Sequence, residues 1–147
     1  MAVPVSVALP IVPVHILVVD DEPHIGRIIK TRLEEGAFAV TVVESGAAAL
    51  QALECNHEIK LVVLDLMLPG MSGVEVLRQM RTNERLKHLP CVVLTATGQD
   101  AQFREIQGLG VAEFMTKPFS PRRLFARVTT LTGASANMSS STQELPT

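Results

Sequence analysis

Three short apolar runs in this chain each stop at a polar or charged residue: Ile16-Leu17-Val18-Val19 before Asp20 and Asp21, Leu61-Val62-Val63-Leu64 before Asp65, and Cys91-Val92-Val93-Leu94 before Thr95. A fourth, less uniform run, Ala112-Glu113-Phe114-Met115, leads to Lys117. Continuous apolar runs of this length read as strands buried on both faces, which is the situation of a parallel sheet covered by helices on each side. Open sheets of that kind bind ligands just beyond the C-terminal ends of their strands. The three carboxylates, the hydroxyl and the ammonium are therefore expected along one edge of one sheet.

Helical patterns alternate with these runs, and a further strand is expected over 38–43. After the first strand Asp21 or Glu22 can cap a helix with Pro23 in its first turn, using Ile25, Ile28, Ile29 and Leu33 as the apolar face until Gly36 stops it. Ser45 opens a second helix through Ala47, Leu50 and Leu53, and Ser72 or Gly73 a third through Val74, Leu77 and Met80, which ends before Pro90. A fourth, over about 99–109, turns Phe103, Ile106 and Leu109 to the core. Ser120 and Pro121 begin a fifth, with Leu124, Phe125, Val128 and Leu131 inward. Right-handed βαβ crossovers then give an α/β fold, a flavodoxin-like three-layer (βα)5 sandwich. Its parallel five-stranded sheet has the order 2-1-3-4-5, and strands one and three flank the switch point.

A chain of 147 residues with 47% hydrophobic residues fits one domain around a single core. The expected organisation is an extension over 1–13, a domain over 14–132, and a Ser-, Thr- and Ala-rich tail or start of a linker over 133–147. The first segment has no Lys or Arg near its start, is interrupted by Pro4, Pro10 and Pro13, and is shorter than the roughly 20 apolar residues a membrane helix needs. Val3, Val5, Val7 and Leu9 alternate as an edge strand would, although a loose extension is the simpler reading. A net charge of −2 gives no basic surface for direct nucleic-acid binding and no membrane patch, so the output must act through another chain or domain. Cys55 and Cys91 lack CxxC spacing and read as reduced, which favours a cytoplasmic protein.

Taken singly, Asp20, Asp21 and Asp65 would be ordinary caps of the segments that follow them. Gathered at one edge they repel by about 4 kcal/mol per pair at 4 Å and an effective dielectric near 20. Either one carboxyl keeps its proton or a divalent cation binds. All-oxygen ligands at a hydrated edge favour Mg²⁺, which takes about six oxygens near 2.1 Å and commonly bridges to phosphate. Lys117, set in an extended or turn conformation by Pro118, can reach the same group, and the Thr95 hydroxyl can donate to it. Positioning and charge neutralisation are nearly all that phosphoryl transfer asks of a protein, so Asp65 is the candidate nucleophile, forming an acyl phosphate.

The segments Val18-Val19-Asp20-Asp21-Glu22-Pro23, Leu64-Asp65-Leu66-Met67-Leu68-Pro69-Gly70-Met71-Ser72-Gly73, Leu94-Thr95-Ala96 and Phe114-Met115-Thr116-Lys117-Pro118-Phe119 carry a resemblance. In order and spacing, over about 15–131, the chain resembles the receiver domain of two-component response regulators, the chemotaxis-type receiver fold. The resemblance implies that Asp65 accepts a phosphoryl group from a histidine kinase or a histidine phosphotransfer protein. It implies Mg²⁺ held by Asp21, Asp65 and the backbone carbonyl of Met67, with Asp20 acting through water. It further implies a switch in which Thr95 turns toward the phosphoryl group and Phe114 moves inward, remodelling the surface of the fourth helix, fifth strand and fifth helix for an unknown downstream protein. A phosphorylation-dependent homodimer stays open as one output. Such a protein catalyses only its own phosphorylation and dephosphorylation.

Met67, two residues past Asp65, offers no side-chain hydrogen bond to an attacking water, and Thr97, two past Thr95, carries no charge, so self-dephosphorylation is expected to go unassisted from these positions. Gly108-Leu109-Gly110 either loosens the start of the fifth strand or simply stops the fourth helix. No P-loop or complete dinucleotide fingerprint is present, and Val74 breaks a GxSxG match. His15, His24, His57 and His88 are scattered without metal-ligand spacing, and Arg122, Arg123 and Arg127 read as a solvated face. The alternatives are a small aspartate-nucleophile phosphatase, which would want a second acid where Met67 stands, and a receiver that works without phosphorylation.

Overall fold

The computed structural model describes residues 12–96 and 100–134. The alternation at Val3 to Leu9, the residue Thr97 and the tail beyond 134 lie outside the described residues. In chain order the elements are β1 (His15–Val19), α1 (Pro23–Glu35), β2 (Ala39–Val43), α2 (Gly46–Cys55), β3 (Ile59–Asp65), α3 (Gly73–Thr82), β4 (Cys91–Thr95), α4 (Asp100–Ile106), a 3₁₀ turn (Gln107–Leu109), β5 (Glu113–Thr116) and α5 (Pro121–Thr132). All pairings are parallel, and the strand order is β2-β1-β3-β4-β5. This is the flavodoxin-like order expected from the sequence.

The period-2 alternation of each strand splits the core in two. Ile16, Val18, Leu61, Val63, Val92 and Leu94 face Ile29 and Leu33 of α1 and Leu124 and Val128 of α5. Their neighbours Leu17, Val19, Val62, Leu64, Cys91 and Val93 face Leu53 of α2, Val74, Leu77 and Met80 of α3, and Ile106 of α4. The sheet is thus the middle of three layers, which is why its strands read as continuous apolar runs. Each fully buried aliphatic side chain contributes about 1.5–3 kcal/mol.

Local signals set most boundaries. Ser45, Ser72 and Ser120 cap α2, α3 and α5 by accepting from the backbone N–H groups of Ala48, Glu75 and Arg123. At α1 the cap position is Glu22, but its side chain makes no capping bond. Gly36 ends α1 for a reason other than backbone freedom: its φ is −96°, and the positive φ of 71° falls on Ala37. A Cβ on Gly36 would lie 2.0 Å from the Phe125 ring, so the glycine makes room for α5. Phe125 also packs edge-on to Phe38, at 5.9 Å between centroids, under the guanidinium of Arg32.

The fourth helix is shorter than its apolar pattern predicts, because its last turn tightens to 3₁₀ before Gly110 at φ 71°. Gly110 is therefore a stop rather than a loose joint. Arg81, near the end of α3, donates through Nε to the Leu109 carbonyl at 2.6 Å and through its Nη atoms to the carbonyls of Lys87 and Gly110 at 3.3 Å each. Arg78 of the same helix pairs with Glu105 of α4. His15 sits at the start of β1 against Thr41 and Asn56, while His24, His57 and His88 are exposed. Arg123 and Arg127 pair with Glu113 of β5 at 3.2 and 2.9 Å.

Candidate functional site

Strand register determines which side chains meet. Val19 of β1 pairs with Leu64 of β3, so the next residues, Asp20 and Asp65, emerge side by side. Asp65 pairs with Leu94 and Thr95 with Thr116, so Thr95 and Lys117 follow at the same edge. The loop after β3 is held tightly: Gly73 N–H donates to the Leu66 carbonyl at 3.0 Å. A Cβ on Gly73 would fall 2.3 Å from the Asp65 carbonyl oxygen, so only glycine allows α3 to start so close to the end of β3.

Asp20, Asp21 and Asp65 each present a carboxylate oxygen within 4.8 Å of the others. Asp20 is fully buried, Asp65 nearly so, and Asp21 exposed. Asp65 Oδ1 accepts from the Met67 N–H at 3.0 Å, and Oδ2 faces the Lys117 ammonium, also at 3.0 Å. Burial pushes the Asp65 carboxyl above its ordinary range, and the Met67 and Lys117 hydrogen bonds only partly counter that. The Lys117 ammonium also lies 2.9 Å from Asp20 Oδ2 and 2.8 Å from Glu22 Oε1. Burial disfavours its charge, but the contacts it makes with the Glu22, Asp20 and Asp65 carboxylates outweigh burial and raise its pKa. In return, the Lys117 hydrogen bond holds the Glu22 carboxyl below its usual range.

Asp20 Oδ1 accepts from the Glu22 N–H at 2.9 Å, whereas Oδ2, although close to Lys117, has no aligned hydrogen-bond partner. We read that contact as an ion pair without hydrogen-bond geometry. A buried carboxylate oxygen lacking an aligned donor, among all-oxygen neighbours and more negative than positive groups, fits a hard divalent cation such as Mg²⁺.

The remaining expected residues are placed as follows. Thr95 ends β4, is 8% exposed, and its carbonyl accepts from the Lys117 N–H at 2.7 Å. Phe114 lies half-buried on β5, its ring 4.5 Å from that of Phe103 on α4. It pairs with Val93, two residues before Thr95, and packs on the α4 side of the sheet. The Met67 side chain is 56% exposed. Glu22 was missed as a site residue: its acidic side chain was visible in the sequence, but a partner 95 positions away was not.

A parallel sheet with an acidic cluster and one lysine at its C-terminal edge defines a class, and the comparisons agree with it. The sequence model of the response regulator receiver domain matches residues 16–129. The chain belongs to this family. It is 42% identical to the transcriptional regulatory protein ResD of Bacillus subtilis over 79% of this chain and 47% of that protein. To the phosphate regulon transcriptional regulatory protein PhoB of Pseudomonas aeruginosa it is 39% identical, over 77% and 49%. The chain therefore spans about half the length of these curated relatives. A putative response regulator from Chloroflexus aurantiacus superposes with a TM-score of 0.76 at 28% identity, covering 83% of this chain and 99% of that one. A Francisella response regulator receiver domain does so with 0.72 at 30%, covering 82% and 98%. Among the described residues no helix is long and apolar enough to cross a membrane.

Proposed function

We propose that this chain is a phospho-accepting receiver of a two-component relay, with Asp65 as the acceptor. The observation that carries this reading is the Asp65 carboxylate held between the Met67 N–H and the Lys117 ammonium, within 4.8 Å of two further carboxylates. In the reaction an Asp65 oxygen attacks the phosphorus of a phosphohistidine on a histidine kinase or phosphotransfer protein. The O–P bond forms as the P–N bond breaks, and the electron pair leaves with the donor's imidazole. Lys117 and the Thr95 hydroxyl donate to the transferred oxygens, where preorganised positive charge is worth most. Asp21, Asp65 and the Met67 carbonyl would hold Mg²⁺, with Asp20 acting through water; when bound, the ion neutralises charge on the phosphoryl oxygens.

Thr95 and Phe114 lie toward the same face of the sheet as α4, which supports a switch passing from the hydroxyl to the aromatic ring and then to the α4-β5-α5 surface. A new dianionic group is the kind of local charge change that biases such an element. The changed surface acts on another chain or another domain. Incubation with acetyl phosphate and Mg²⁺ tests the assignment: one phosphoryl group per chain is expected on Asp65, stable for minutes. Many turnovers would instead indicate a phosphatase, and no uptake would indicate a receiver that works unphosphorylated.

A further inference from the structure

Before any phosphoryl group arrives, Lys117 already donates to Glu22 and Asp65 and lies against Asp20. An ammonium has three N–H donors, and three carboxylate oxygens surround this one: Glu22 Oε1 at 2.8 Å, Asp20 Oδ2 at 2.9 Å and Asp65 Oδ2 at 3.0 Å. A phosphoryl oxygen on Asp65 must compete with these carboxylates for the same ammonium. The three are not equivalent. Asp20 has no exposed surface and is tied through Oδ1 to the Glu22 N–H. Asp65 is the esterified group itself. Glu22 alone has a side chain that is 48% exposed, so it can rotate into water at little cost.

Among the described residues the Glu22 side chain hydrogen-bonds only to Lys117, although the charge of His24 also favours its ionised form. It stands at the cap position of α1 yet makes no capping bond, and its aligned hydrogen bond runs across the sheet edge to Lys117. We propose that Glu22 is a placeholder carboxylate: it occupies the outward donor of Lys117 in the resting protein and surrenders it to a phosphoryl oxygen when Asp65 is esterified. Glu22 is thus a positioning residue acting through Lys117. The inference rests on the reading of Asp65 as phospho-acceptor.

An interaction present in the ground state and lost in the transition state slows a reaction. A half-exposed ion pair sets the size of that brake, so Glu22→Gln should accelerate phosphorylation by acetyl phosphate about two- to fivefold at saturating Mg²⁺. In this step an Asp65 oxygen bonds to phosphorus while the donor P–O bond breaks and acetate departs with the electron pair. The change should fall in the forward rate and not in the lifetime of the product, where Lys117 has already changed partners. Glu22→Asp keeps the charge but is one methylene too short to hold the contact, so it should be accelerated likewise. If Glu22→Asp behaves as wild type, local charge and not the contact sets the rate, and the proposal is wrong. Equal forward rates in wild type and Glu22→Gln, or parallel changes in forward rate and lifetime, also overturn it while leaving Asp65 as acceptor. A wild-type protein that takes up no phosphoryl group removes the reading beneath it.

Discussion

Replacing Lys117 by methionine keeps the side-chain length and removes a cation that faces three carboxylates within 3.0 Å. At that separation and an effective dielectric near 20, each contact carries about 5 kcal/mol of attraction. Most of it is offset in the folded protein by taking the charges out of water, so the measurable loss is that of breaking a buried pair, about 3–5 kcal/mol. Because the Lys117 side chain keeps 17% exposure, the lower end applies. A loss of about 3 kcal/mol in a domain of this size lowers Tm by about 12 °C. The assay is thermal unfolding with a chelator present, then with Mg²⁺. A cation at about 100 times its Kd returns about 2.7 kcal/mol, and the variant, with more uncompensated negative charge, should gain more from Mg²⁺ than wild type does. The pH dependence has a definite sign. Burial raises the folded pKa of Asp65, so its contribution to stability is present at low pH and is lost as pH rises through that value. Without Lys117 the loss grows, and the gap from wild type should widen from acid toward neutral pH. An unchanged Tm in chelator, or equal gains from Mg²⁺ in both proteins, would refute the electrostatic reasoning.

Gly73→Ala puts a methyl group 2.3 Å from the Asp65 carbonyl oxygen, so the backbone must shift. A loss of about 1–3 kcal/mol is expected in urea unfolding, and an unchanged midpoint would mean that the β3-α3 junction is looser than described. Met67→Asn places a hydrogen-bonding group where an exposed methionine now stands. The phosphorylated state should decay roughly fivefold faster, the rate equivalent of one hydrogen bond worth about 1 kcal/mol, and an equal half-life would remove Met67 from the account of slow hydrolysis. Burial pushes the Cys91 thiol up to about 12, whereas Cys55 is exposed. A disulfide reagent at neutral pH should therefore titrate one thiol in the native protein and two after denaturation, and two reactive thiols in the native state would contradict the core assignment.

The sheet was legible because both of its faces are covered: runs such as Val62 to Leu64 have no polar residue to interrupt them, and each charged residue that ends a run marks the same edge. Asp20, Asp65 and Lys117 could be grouped because parallel strands of similar length end at similar heights. What sequence could not supply was side-chain direction between distant elements. The sequence marks Glu22 as a helix cap because caps are local, yet it reaches Lys117 across 95 positions. Gly36 marks a helix stop in the sequence, but the space it leaves is taken by Phe125, and no local pattern encodes that approach. The end of α4 is a mixed case: Gly110 marks the stop locally, whereas the Arg81 bonds to Leu109 and Gly110 come from another helix.

The three carbonyls gripped by Arg81 have a mechanical consequence. Two of them, Leu109 and Gly110, fasten the stretch just before β5 to α3, and the third, Lys87, ties in the loop before β4, at the end of the sheet opposite the carboxylates. A rearrangement of α4 would therefore have to keep or break the Arg81 bonds to Leu109 and Gly110. The anchor thus lies at the far end of the α4 segment, whereas α4 itself begins at Asp100, shortly after Thr95 on the side of the chemistry.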